Sequence, residues 1–122
     1  MAPKKSEVTS IPKLVHWFYE EYLGRTPDRT VYAKYQRILR PLVKAPKNLP
    51  AVRTYKPRQL AQVIEQLDEL GVPLEKTGLE VLLYPDLIGE VLDGDPSDYV
   101  RWIQEKFGNK KNTRREDIPS GW

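Results

Sequence analysis

Apolar residues recur at intervals of three and four along most of this chain, and that spacing predicts helices. The first predicted helix has Ser10 as its N-cap, Pro12 in its first turn and Gly24 at its end. Trp17 and His16 lie off its apolar stripe. Packing on two sides explains Trp17 better than stacking on bases does, and His16 is interpreted as a surface or capping residue. The stripe consists of Ile11, Leu14, Val15, Phe18 and Tyr22.

A second helix is predicted to begin at Thr26, which is followed by Pro27 at the first helical position and Asp28 in the first turn. Pro41 is expected to end or kink this helix, because proline lacks an N–H and its ring clashes with the preceding turn. Three prolines make residues 45–57 a predicted extended linker. The buried side of the helix is predicted to contain Val31, Tyr35, Ile38 and Leu42, flanked by Tyr32, Leu39 and Val43.

The rest of the apolar pattern predicts a third helix over about 57–70, a helical stretch over about 73–83, a short buried segment over 87–94 and a last helix over 95–108. Asp95 is the predicted N-cap of the last helix. The expected core residues of these segments are Leu60, Val63, Ile64, Leu67, Leu70, Leu79, Leu82, Leu83, Leu87, Ile88, Val91, Leu92, Tyr99, Val100, Trp102, Ile103 and Phe107.

The sequence contains no sustained alternation of apolar and polar residues and no β-branched clusters. We therefore predict an all-α fold, a compact bundle of five to six short helices with proline-marked helix starts. One helical-bundle domain is expected over residues 10–108, with a flexible arm over 1–9 and a basic flexible tail or linker over 109–122.

Composition argues against most catalytic chemistry. The chain has no cysteine and one histidine, and its isolated glycines form no phosphate-binding loop. Asp93, Asp95 and Asp98 resemble the opening of a calcium loop, but Asp98 and Gln104 stand where such a loop needs glycine and an acid, so helix capping explains these acids better. No run approaches the roughly 20 apolar residues of a membrane span. We predict a cytoplasmic protein that is not an enzyme, with no metal or cofactor.

Charge divides the chain into a basic part and an acidic part. Residues 25–58 hold ten cations against one anion, a net charge of +9, whereas residues 59–107 hold eleven acids against three bases, a net charge of −8. A strongly positive surface is the footprint expected for a polyanion partner. The cations of the second helix lie opposite its apolar side. The predicted nucleic-acid-binding residues are Arg25, Arg29, Lys34, Arg37, Arg40, Lys44, Lys47, Arg53, Tyr55, Lys56 and Arg58.

The resulting hypothesis is a nucleic-acid-binding module, with DNA favoured over RNA, of the kind used in replication, transcription control or the mobile elements of phages and plasmids. Helices one and two could form a helix-turn-helix with Arg29 near the start of its second helix. The alternative is a protein–protein interaction module, an adaptor or inhibitor, that uses both charged faces. Pairing of the basic helix with the acidic half of the same chain, or head to tail between copies, also stays open.

Overall fold

The computed structural model of the protein describes residues 4–45, 47–48, 53–84 and 86–108. Within these ranges all regular structure is helical and there is no strand, which confirms the predicted all-α class. The chain divides into two units, one described up to Val63 and the other from Ile64, so the boundary lies inside a helix. The described residues contain the α-helices α1 (Ile11–Phe18), α2 (Arg29–Val43), α3 (Pro57–Glu69), α4 (Leu74–Thr77), α5 (Leu87–Asp93) and α6 (Ser97–Phe107).

The predicted start and end of the first helix are confirmed. Ser10 is the N-cap of α1, and its hydroxyl accepts the N–H of Lys13 at 3.4 Å. A π-helical turn, Tyr19–Leu23, extends α1 to Gly24, which has a φ of +66°. That left-handed conformation is one that glycine adopts without a steric penalty, and it ends the helix.

Trp17 is buried, with 3% of its surface exposed, and its ring meets that of Tyr22 edge-on at 5.6 Å. The opposite stripe of α1 is buried as well, as the residues Leu14, Val15 and Phe18 show. The prediction of a helix packed on two sides is therefore confirmed.

The N-cap of α2 is Asp28, and the prediction of Thr26 for this role is wrong. The Asp28 Oδ1 accepts the N–H of Val31 at 2.9 Å, whereas the Thr26 hydroxyl donates to Glu20 at 2.8 Å. Pro27 is buried just before the cap, so the helix begins two residues later than predicted, at Arg29. Asp28 has the extended backbone of an N-cap, and its carboxylate caps as well as a hydroxyl does.

The expectation that Pro41 ends α2 is wrong, because the helix continues through Pro41 to Val43, and the alternative expectation of a kink there stays a prediction. The proline lies so near the end of the helix that only one internal hydrogen bond, to the Arg37 carbonyl, is lost. Tyr35 and Leu39 are the fully buried residues of α2, and the other predicted apolar positions, Val31, Ile38 and Leu42, are half-buried.

The second unit contains the C-terminal part of α3, the helices α4, α5 and α6, and a 3₁₀ helix, Gly78–Leu83, that follows α4 directly. The turn after α3 contains Gly71, whose φ is +92° and whose carbonyl accepts the side-chain N–H of Gln104 at 3.1 Å. The buried residues of this unit include Leu67, Val72, Leu74, Leu79, Val81, Leu82, Leu87, Ile88, Val91, Val100 and Ile103.

Three residues predicted to lie in the core are exposed: Leu70, Leu83 and Trp102 at 48%, 42% and 43%. Leu70 lies just beyond the end of α3. The 3₁₀ helix has three residues per turn, so its spacing buries Val81 and leaves Leu83 outside. The exposure of Trp102 creates a groove described below.

The predicted arm contains a 3₁₀ turn, Lys5–Glu7, followed by the buried Val8. Tail residues 109–122 and linker residues 46 and 49–52 lie outside the described residues. The Tyr55 N–H donates to the Leu42 carbonyl at 2.8 Å and so attaches the end of the linker to α2. None of the described helices combines the length and apolarity needed to cross a membrane.

Candidate nucleic-acid interface

The buried residues Tyr35 and Leu39 show which side of α2 faces the core. Side chains on the opposite side of a helix from its core residues face the solvent. Four cations on that side are exposed: Arg29, Arg37, Arg40 and Lys44.

Three of these cations line one groove at the C-terminal end of α2. Arg37, Arg40 and Lys44, together with Lys47 from the following loop, surround a volume of about 300 Å³ whose other walls are Pro41 and Ala45. The Lys44 N–H donates to the Arg40 carbonyl at 2.9 Å, which closes the last helical turn and keeps Lys44 beside Arg40. We call this volume the cation groove.

Three of the four acids of the first unit have partners other than the cations of the cation groove. Glu7 accepts the N–H of Lys4, Asp28 caps α2, and the Glu20 carboxylate accepts from Thr26 and lies 3.6 Å from the Nε2 of His16. Within the described residues of this unit, no carboxylate forms an ion pair with the cations of the cation groove. Their mutual repulsion is therefore not offset there, although like charges at helical spacing destabilise a helix.

The helix dipole explains part of this arrangement. A cation in the last turn of a helix stabilises it by about 0.3–1 kcal/mol, because the C-terminal carbonyls carry partial negative charge. Arg40 and Lys44 gain from this effect. It does not explain Arg37, which lies more than a turn before the end, or Lys47, which lies beyond the helix.

The linker cations predicted for the site are only partly connected to it. Arg53 lies over the ring of Tyr55 at 5.0 Å, so one face of that half-buried ring is covered. Lys56 and Arg58 are exposed at the start of α3, and none of these residues lines the cation groove.

The remaining predicted cations lie apart from the groove. Arg25 and Lys34 lie over the rings of Tyr19 and Tyr35 at 5.5 and 5.1 Å. Arg29 is exposed in the first turn of α2. The structure therefore brings four of the eleven predicted residues together.

A second groove of about 390 Å³ lies in the same unit, and the sequence interpretation missed it. Pro12, Lys13 and His16 of α1 line it together with Tyr32 of α2. Lys13 lies outside the basic block of the sequence, and Tyr32 was interpreted as a flank of the core. We call this volume the tyrosine groove.

A third groove, in the second unit, is apolar. Tyr84, Tyr99 and Trp102 line about 320 Å³ together with Asp98. The rings of Tyr84 and Trp102 meet at an angle of 79° with centroids 5.0 Å apart, and the Lys106 ammonium lies 5.2 Å from the Trp102 ring.

The acids near α6 have local partners. The Asp95 carboxylate accepts hydrogen bonds from the hydroxyl and from the backbone N–H of Ser97. These two bonds, the one from the hydroxyl first, hold the pKa of Asp95 below its ordinary value. Asp98 lies 3.6 Å from Arg101. In the described ranges, no three or more His, Asp or Glu side chains lie close enough together to hold a metal ion.

Comparison with known proteins reveals no relative: no family model matches the chain, and no curated protein or solved structure matches it significantly. Function must therefore be inferred from the geometry and charge of the chain itself.

Proposed function

We propose that this protein is a non-enzymatic, nucleic-acid-binding helical module that prefers DNA to RNA and contacts phosphates through the cation groove. The observation that carries the proposal is the convergence of Arg37, Arg40, Lys44 and Lys47 on one exposed groove without a carboxylate partner in the described part of their unit. Replication, transcription control and the mobile elements of phages and plasmids are the cytoplasmic settings that such a module suits.

Phosphate contact explains why four cations would share one groove despite their mutual repulsion. Each Lys or Arg that neutralises a phosphate releases condensed counterions, and that release supplies most of the affinity of non-specific binding. A guanidinium also presents donors in a planar fork that matches two phosphate oxygens, which favours arginine at such a site.

Sequence readout, in this proposal, belongs to Arg29. It is exposed in the first turn of α2, and the residues near the start of a recognition helix are the ones that meet base edges in the major groove. Arginine at that place would select guanine, to which it donates two hydrogen bonds.

The test replaces Arg37 and Arg40 with alanine and follows binding of fluorescent duplex and single-stranded DNA by anisotropy. The double variant should bind more weakly, and the slope of log K against log salt should become shallower by about 1.8 for duplex or about 1.4 for a single strand. The matched control is Arg101→Ala with Lys106→Ala, which lowers the net charge equally but in the second unit. Equal affinity in the two double variants would refute the cation groove as the site.

A second candidate function is a protein-interaction module, and the third groove favours it. An exposed tryptophan in an aromatic groove is typical of an interaction hot spot. The described residues from Ile64 onward carry eleven acids against three bases, so the partner would present a basic surface. A protein-interaction module need not bind nucleic acid at about 50 mM salt, whereas a nucleic-acid-binding module must. The nucleic-acid-binding function also predicts that the Trp102→Ala variant binds nucleic acid as the unmodified protein does.

A further inference from the structure

A row of residues along α2 connects the cation groove with the tyrosine groove. Tyr32, Gln36, Arg40 and Lys44 are spaced four apart, and side chains at that spacing form a ridge that is inclined to the helix axis and winds gradually around the helix. Tyr32 lines the tyrosine groove, Arg40 and Lys44 line the cation groove, and Gln36 is exposed between them. The two grooves are thus parts of one surface, which we call the α2 row.

The tyrosine groove combines the groups that hold a nucleotide. Tyr32 contributes a half-buried aromatic ring, and Lys13 contributes an exposed ammonium. Aromatic rings stack on bases of any sequence, and a nearby cation contacts the adjoining phosphate. The Glu20 carboxylate lies 3.6 Å from His16 and would repel a phosphate there, which leaves the Lys13 side for the phosphate and the Tyr32 side for the base.

The length of the α2 row fits a short strand. Twelve residues separate Tyr32 from Lys44, which is about 18 Å along the helix axis. One strand of duplex DNA has one phosphate about every 3.4 Å of helix axis, so this distance accommodates at most about five phosphates.

We propose that the α2 row binds single-stranded nucleic acid, with phosphates in the cation groove and one base stacked on Tyr32. A base inside a duplex has both faces covered by its neighbours, so only an unpaired base offers a face to a tyrosine ring. This inference rests on the proposed function and adds an unpaired strand, held by Tyr32 as well as by the cation groove, to the duplex that Arg29 would read.

The experiment compares Tyr32→Ala with the unmodified protein on an oligothymidylate of about ten nucleotides, an oligouridylate of equal length and a duplex. The alanine variant should lose about tenfold in single-strand affinity. The salt slope should stay unchanged because stacking releases no ions. Duplex binding should not change. Tyr32→Phe keeps the ring and should bind as the unmodified protein does, and Trp102→Ala removes an exposed ring from the other unit as the matched control.

Melting curves would reveal whether the Tyr32→Ala variant misfolds, and a second variant tests the same surface without removing the ring. Lys13→Ala leaves the ring in place and should make the single-strand salt slope shallower by about 0.7. Unchanged single-strand affinity of a folded Tyr32→Ala variant, or equal losses on duplex and single strand, would overturn the inference while leaving the proposed function standing. Absence of binding by the unmodified protein to any of the probes would instead refute the proposed function. A loss of affinity by Tyr32→Ala on both oligothymidylate and oligouridylate supports the inference for DNA and for RNA. The oligonucleotide that the unmodified protein binds more tightly identifies the preferred sugar.

Discussion

At the scale of single residues, the cation groove concentrates permanent charge in a small volume. Arg37, Arg40, Lys44 and Lys47 share about 300 Å³. Two like charges about 4 Å apart repel by about 1 kcal/mol even in water, and the repulsion grows where solvent is partly excluded. A phosphate in the groove would attract each of these cations and so offset their mutual repulsion, which is the physical reason for assigning a ligand to it.

The N-cap of α2 gives the first prediction. Asp28→Ala removes the acceptor of the Val31 N–H and should lower the free energy of unfolding by about 1 kcal/mol, measured by urea denaturation. Thr26→Ala, which removes only an exposed hydrogen bond to Glu20, is the control and should cost less. A larger loss for the threonine variant would mean that the sequence-predicted cap is the functional one after all.

Residue-level prediction worked where a local rule decides the outcome. Ser10 and Gly24 were identified correctly because a cap hydroxyl and a left-handed glycine act within one turn of the chain. Thr26 and Asp28 are both good caps two residues apart, and in the folded protein Asp28 accepts the Val31 N–H whereas the Thr26 hydroxyl donates to Glu20. Val8 is buried although it stands alone in a polar segment, where no periodicity marks it.

At the scale of elements, α2 holds the candidate site together and contains an unfavourable residue. Pro41 is exposed within the helix and lines the cation groove. It cannot donate to the Arg37 carbonyl, and a proline inside a helix costs about 3 kcal/mol. Residues that break a local rule are expected at functional sites, so Pro41 agrees with a role for this end of α2 in binding.

Pro41→Ala should therefore stabilise the protein. The variant regains the hydrogen bond to Arg37, and the gain exceeds the roughly 0.4–1 kcal/mol lost because alanine leaves the unfolded chain freer than proline does. We expect a rise of about 2 kcal/mol in the free energy of unfolding by urea titration. A destabilised variant would show that the packing of the first unit requires Pro41.

The start of α6 gives a prediction about pH. The Ser97 hydrogen bonds hold the pKa of Asp95 below its ordinary value of 3.8, so its contribution to stability is complete above that value and is lost as the pH falls below it. The difference in unfolding free energy between the unmodified protein and Asp95→Ala should be constant from about pH 5 to 7 and shrink towards about pH 2. Ser97→Ala, which removes the hydroxyl donor, should weaken this dependence. A difference that stays constant across the acid range would contradict the assignment.

Helices were predictable from the sequence because the spacing of apolar residues carries that signal, and the α-helices of the described residues occur close to the expected positions. The limits of periodicity appear at Leu83 and Trp102. The first lies in a 3₁₀ helix whose spacing differs from that of an α-helix. The second belongs to the apolar side of α6, but its neighbours Tyr84 and Tyr99 meet it at the surface rather than covering it.

At the scale of the whole molecule, the division into units nearly coincides with the division of charge. The chain up to Val63 carries thirteen Lys and Arg against four acids, net +9, whereas the described residues from Ile64 onward are net −8. A polyanion is thus attracted by one unit and repelled by the other. Such an electrostatic field raises the association rate of a polyanion with the protein and orients the polyanion as it approaches, and it also adds affinity.

The charge of the site was predictable from the sequence, but its boundaries were not. A block of cations is visible in residues 25–58 without a structure. The separation of Arg37 and Lys47, which line the groove, from Arg25 and Lys34, which lie over tyrosine rings, depends on tertiary packing. The tyrosine groove needs Lys13 of α1 beside Tyr32 of α2, and sequence spacing within one helix cannot reveal a contact between two.

The most direct test of phosphate binding is the affinity of the unmodified protein for an oligothymidylate, measured by fluorescence anisotropy from about 50 to 200 mM salt. Five phosphate contacts, four in the cation groove and one at Lys13, predict a slope of about −3.5 in log K against log salt, which is a loss of about 130-fold over this range. A result near that slope would support phosphate contact by the cation groove. No binding at the lowest salt, or an affinity that does not change with salt, would contradict the central claim that this protein binds nucleic acid.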